Sequence, residues 1–122
     1  MTFAFQKLTV WQKAVHLIDD IMYLADNLNS DKPHYKLIEQ LESCSTSIAL
    51  NIAEGKGKHT NKNFIRHLYI ARGSLYESLT LLVLFRKREW ISEEQLEDIE
   101  SQALDLTKMM MGLIKSLSPQ EK

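Results

Sequence analysis

Ser92-Glu93-Glu94-Gln95-Leu96-Glu97-Asp98-Ile99-Glu100-Ser101-Gln102-Ala103-Leu104-Asp105-Leu106 decides the fold. Ser92 and Gln95 form a capping box, in which the serine hydroxyl accepts from the third helical amide and the glutamine returns the bond. Glu93 and Glu94 fall in the first turn, where the helix dipole favours anions. From there Leu96, Ile99, Ala103, Leu106, Met110, Leu113 and Leu117 recur at three and four residues without a slip. That is the seam of a helix buried along one side.

The same grammar extends upstream. A third helical segment runs from a cap at Thr60 or Asn61 to about Arg88 through Phe64, Leu68, Ala71, Leu75, Leu79 and Leu82. A second carries Ile38, Leu41, Ser45, Ile48 and Ile52 and is expected to close with Gly55 in the left-handed conformation. Asn29-Ser30-Asp31-Lys32-Pro33 precedes it, with the proline suited to a first turn. The first helix is read from a Thr9/Gln12 capping box through Trp11, Ala14, Ile18, Ile21, Ala25 and Leu28. No strand alternation separates these segments. The expected fold class is all-α, an antiparallel up-down four-helix bundle in one domain over 1–122, with helices at about 10–28, 32–54, 61–88 and 93–117. In the central hairpin, facing residue numbers should sum to roughly 116, setting Ser43, Cys44, Ser45 and Ser47 against Ala71, Gly73 and Ser74.

The bulk composition agrees with an ordinary globular chain: 122 residues, 44% hydrophobic and 25% charged, with a net charge of −1. No secretion signal and no uncharged stretch of about 18 residues is seen, so the cytoplasm is expected and a membrane is not. Cys44 is the single cysteine, expected as a buried thiol.

Catalytic and metal chemistry find little support. No Glu-x-x-His pair occurs, and His16 with Asp20 supplies two groups where a site needs more. Cys44 has no nearby histidine or cation to activate it. Gly55-Lys56-Gly57-Lys58 lacks the following serine or threonine of a phosphate loop, and Arg66-His67 lacks the spacing of HEPN-type ribonucleases. No enzyme, metal, cofactor or small-molecule substrate is expected.

Charge and surplus apolar residues are more informative. From Gly55 to Tyr76 the chain carries Lys56, Lys58, Lys62, Arg66 and Arg72 without an acid, and Arg86-Lys87-Arg88 follows. Lys56, Lys58, Lys62, Arg66, Arg86, Lys87 and Arg88 are therefore the candidate contacts to RNA or DNA phosphates. Arg72 is expected to flank the core, and Tyr69 and Tyr76 to pack. Val10, Leu17 and Leu24, at sevenfold spacing, with Leu81, Leu84 and Phe85, exceed what a narrow seam consumes and are the expected oligomer interface. The alternative is a protein-binding scaffold oligomer whose basic and acidic faces satisfy each other.

Three segments also carry a resemblance. Val10-Trp11-Gln12-Lys13-Ala14, Ser47-Ile48 through Asn51-Ile52-Ala53-Glu54-Gly55, and Ile70-Ala71-Arg72-Gly73-Ser74-Leu75-Tyr76-Glu77 resemble bacterial four-helix-bundle proteins encoded in intervening sequences of 23S rRNA genes. That family includes the accessory variability protein of diversity-generating retroelements. The resemblance implies a homopentamer with a basic, nucleic-acid-facing surface and no known catalysis. This chain departs from the family at Glu42-Ser43, where relatives carry two arginines, and at Arg88-Glu89-Trp90, where they carry a glycine-aromatic turn. Glu54 is expected to reach Lys62, and Asn51 to bond near its helix end.

Overall fold

The computed structural model describes residues 1–119. A short 3₁₀ turn, Ala4–Lys7, leads into α1 (Thr9–Asp26), α2 (Tyr35–Lys56), α3 (Asn61–Lys87) and α4 (Glu93–Leu117). Each helix packs on its chain neighbours, α4 closes back on α1, and α2 with α3 forms the most extensive interface. Ser47 facing Ser74 and Cys44 facing Ser78 show that α2 and α3 run antiparallel. Arg72 against Met111 and Arg86 against Glu93 show the same for α3 and α4.

The core follows the expected stripes. Leu17 and Ile21 of α1, Leu41, Ile48 and Ile52 of α2, Leu68, Leu75 and Leu82 of α3, and Ile99, Leu106 and Met110 of α4 are fully enclosed. At the end of α4 the stripe passes from Leu113, half-buried, to Ile114, buried. This is the drift of a 3.6-residue helix against a strict heptad. The Ser92/Gln95 capping box and the Thr60 cap form as expected.

Other local expectations change. Thr9 is not a capping residue: α1 begins after an extended Leu8, and Gln12 donates to the Gln6 carbonyl at 2.8 Å. Gln6 instead closes the 3₁₀ turn by accepting from the Phe3 amide at 2.9 Å. Pro33 stands outside α2, which starts at Tyr35. Gly55 does not end α2 in a left-handed conformation, since no glycine here has positive φ. The helix continues to Lys56, and the facing pairs Ser47/Ser74 and Cys44/Ser78 put the central hairpin register roughly one and a half turns from that expected.

Gly55 has a different reason to be glycine. A Cβ there would lie 2.7 Å from the His67 Cβ and 2.9 Å from Phe64 Cδ1, so α2 and α3 touch at this point. Gly73, set by the expected register against the serines of α2, has nothing among the described residues within 4 Å of where its Cβ would be.

At the opposite end the α1–α2 and α3–α4 connections lock together. The Asn29 amide donates to the Trp90 carbonyl at 2.9 Å, and the Trp90 ring stacks on His34 with centroids 3.8 Å apart. Glu89 takes a φ of 63°, a left-handed conformation that costs a non-glycine residue about 1–2 kcal/mol.

The expected oligomer residues are largely consumed inside the subunit. Val10, Leu17, Leu24, Leu81 and Phe85 are buried in the chain's own core, and only Leu84, 49% exposed, faces outward. A helix wedged between two neighbours buries a stripe wider than one heptad seam, which accounts for the sevenfold set on α1. By length and composition α3 could cross a membrane, with mean hydropathy 1.3 over its most apolar window. A bundle's core helix meets the same criterion, and the most apolar side of α3 lies in the core.

Candidate nucleic-acid interface

The seven candidate cations do not form one surface on the subunit. Lys56, Lys58, Lys62 and Arg66 gather around the α2–α3 connection and are all exposed. Arg86, Lys87 and Arg88 lie at the other end of α3, twenty residues and about 30 Å away along the helix axis. Arg86 is moreover engaged, its Nε donating to Glu93 at 3.0 Å.

Antiparallel folding adds to the first group residues that are remote in sequence. The start of α1 brings Lys7 and Lys13 to the same half of the bundle, and the end of α4 brings Lys108 and Lys115. With Arg72, this half faces only Glu54 and, near the midline, Glu77 and Asp105 as acids among the described residues. The opposite half holds Asp19, Asp20, Asp26, Asp31, Glu93, Glu94, Glu97, Asp98 and Glu100 beside Lys32, Lys36 and the Arg86–Arg88 cluster. The bundle is therefore polarised end to end although its net charge is −1.

Glu54 turns away from the cations. Its carboxylate lies 3.8 Å from Nδ1 of His67, not against Lys62. His67 is buried at 6% exposure, beside the contact that Gly55 permits. Its Nδ1 pairs with Asn51 Oδ1 at 3.0 Å. Because the Asn51 amide already donates to the Ser47 carbonyl and hydroxyl at 2.9 and 3.0 Å, the asparagine oxygen accepts and the histidine donates. Ser47 continues to Ser74 at 2.9 Å, and Ser78 donates to Cys44 at 3.2 Å. This chain of polar groups lies in the α2–α3 interface, and no buried side-chain donor or acceptor among the described residues lacks a partner. Asn51 and His67 thus hold α2 to α3 beneath the cationic end. Sequence reading placed Asn51 correctly as structural and missed His67, whose position on the core side of α3, next to Leu68, was its only signal.

Cys44 is enclosed, and burial pushes its thiol pKa up, the Ser78 hydrogen bond offsetting this in part. An inert thiol results, as its surroundings in sequence implied. Among the described residues no three His, Cys, Asp or Glu side chains come together as a metal-ligand set.

Tyr69 and Tyr76 do not pack into the core as expected. They are 44% and 49% exposed on the outer face of α3. The guanidinium of Arg72 lies 5.0 Å from the Tyr69 ring and 5.7 Å from the Tyr76 ring, and its Nη1 reaches Met111 Sδ at 3.2 Å. Sequence reading gave Arg72 a flanking position and could not see its partners, which come from the helix spacing and from α4.

The comparisons with known proteins agree with this architecture. A crystal structure of a protein with unknown function from the S23 ribosomal protein family of Bacteroides thetaiotaomicron superposes with a TM-score of 0.80. It shares 27% identity, over 88% of this chain and 99% of that one. No curated protein matches the chain. A family model for the 23S rRNA-intervening sequence protein matches residues 6–112, nearly the whole four-helix bundle, and the chain belongs to that family.

Proposed function

We propose that this protein is a non-enzymatic, homo-oligomeric, cytoplasmic bundle, pentameric as the family resemblance implies, that binds ribosomal RNA or DNA through its cationic end. The observation that carries the reading is the convergence of Lys56, Lys58, Lys62 and Arg66 with Lys7, Lys13 and Lys115, while the one nearby acid, Glu54, is directed at His67. Cations without local partners are suited to phosphate oxygens, and such contacts need no sequence recognition. Copies packed side by side in one direction would gather these ends on one rim and multiply the field. The name of the family, which ties it to intervening sequences of 23S rRNA, adds support.

Leu84 and the apolar cleft that it lines with Leu37, Leu81, Phe85 and Trp90, about 330 Å³ in volume, are the surface assigned to subunit contact. The scaffold reading draws on the polarity of the bundle, since the basic end of one copy can meet the acidic end of another.

Fluorescence anisotropy with labelled structured RNA and duplex DNA, at about 50 and 200 mM salt, separates the two, with assembly mass followed by light scattering. Four phosphate contacts should weaken binding roughly 50- to 150-fold over that salt range. Lys62→Glu combined with Arg66→Glu should weaken binding further without changing the mass. An intact oligomer that binds neither nucleic acid rejects the proposal and leaves the scaffold.

A further inference from the structure

Gly73 has no explanation within the bundle. It sits in the interior of α3, its φ is not positive, and beyond its own helix backbone and chain neighbours an added Cβ would meet no atom of the described residues within 4 Å. Glycine loosens a helix interior, so nothing about local stability favours it there. What a missing side chain does provide is close access to the backbone from outside.

The rim of this gap is aromatic and cationic. Lys62, Arg66, Tyr69, Gly73 and Tyr76 follow at spacings of four, three, four and three, which sets them in one line along the exposed side of α3. The two tyrosines are about 10.5 Å apart along the axis, with Gly73 between them. Arg72 borders the gap, its guanidinium near both rings and tethered to Met111. No carboxylate among the described residues is in ion-pair contact with it, so its other N–H groups remain available.

The geometry points to Gly73 as the floor of a notch that takes an unpaired nucleobase. The base lies over the bare backbone between Tyr69 and Tyr76, with its polar edge towards the Arg72 donors. The strand's phosphates run along α3 to Arg66 and Lys62. Stacking of this kind is open to any base with a free face and closed to bases inside a duplex. The inference rests on the nucleic-acid reading above and adds to it a preference for unpaired strands.

Anisotropy on the full chain, with an unpaired RNA oligonucleotide and a duplex of equal charge, tests it, and 2-aminopurine in the unpaired strand reports stacking. Gly73→Gln fills the notch with a better helix former, so a loss of binding cannot be ascribed to unfolding. Gly73→Gln, and separately Tyr69→Leu with Tyr76→Leu, should weaken the unpaired strand about tenfold or more and abolish the 2-aminopurine quenching. Duplex binding should stay within about twofold, because its phosphate contacts are unchanged. Lys62→Glu with Arg66→Glu should weaken both. If both sets of notch variants bind both strands like the wild type, the notch is overturned while the cationic end stands. If the wild type binds neither strand, both readings fall. If Gly73→Gln alters the assembly mass and leaves unpaired-strand binding intact, the face is a subunit contact and the notch is overturned.

Discussion

Gly55 and Gly73 stand on two faces of the same hairpin and are glycine for unlike reasons. Around Gly55, α2 meets α3 so closely that the backbone of one helix rests on Phe64 and His67 of the other. Around Gly73 the helix surface is open, bordered by Tyr69, Arg72 and Tyr76. The inner face is explained by packing and by a hydrogen-bonded series from His67 through Asn51, Ser47 and Ser74 to Ser78 and Cys44. On the outer face Arg72 reaches Met111, but among the described residues nothing covers Gly73 itself. A glycine in a helix therefore says that something must come close, and only its surroundings say whether that something belongs to the same molecule.

Making one substitution at both positions tests this contrast most directly. Gly55→Ala should destabilise the fold by about 1–3 kcal/mol, since a methyl group at 2.7 Å from the His67 Cβ forces the helices apart. Urea unfolding followed by circular dichroism measures it, and unchanged stability would mean that the two helices separate without cost. Gly73→Ala should go the other way and stabilise by up to about 1 kcal/mol, the gain in helix propensity with nothing displaced. A loss of stability at Gly73 would show that the open face is covered in solution, and light scattering would identify whether by a second copy.

The smallest effect belongs to Cys44, deep on the inner face. Its folded thiol keeps its proton to higher pH than the unfolded one, so its contribution to stability is complete below the unfolded pKa and falls as the pH rises beyond it. The urea midpoint of the wild type should therefore drop relative to Cys44→Ala between about pH 8 and 10. Parallel curves for the two proteins would place the thiol in contact with water.

The fold was legible because its signals are periodic. Ala14, Ile18, Ile48, Leu75 and Leu106 mark their buried faces by spacing alone, and the Ser92/Gln95 box needs only residues three apart. Where the reading failed, a distant partner decided. The Thr9 cap lost its glutamine to Gln6, and Val10, Leu17 and Leu24 found partners within the chain rather than in another subunit. The site was legible only around the α2–α3 connection. Lys56, Lys58, Lys62 and Arg66 are neighbours in sequence and in space, whereas Lys7, Lys13 and Lys115 join them only once the chain has doubled back, and Arg86, Lys87 and Arg88 are carried away by the length of α3.

The sequence by itself determined four helices, the central stripe of each helix's core face and the absence of acids from Gly55 to Tyr76, because each depends on spacings within one segment. The tertiary structure decided the register of α2 on α3, which glycine is a contact and which an opening, the partners of Glu54, His67 and Arg72, and the gathering of charge at one end. These depend on which helix lies opposite and at what depth, and helical periodicity leaves both undetermined because it repeats identically along the whole length of each helix.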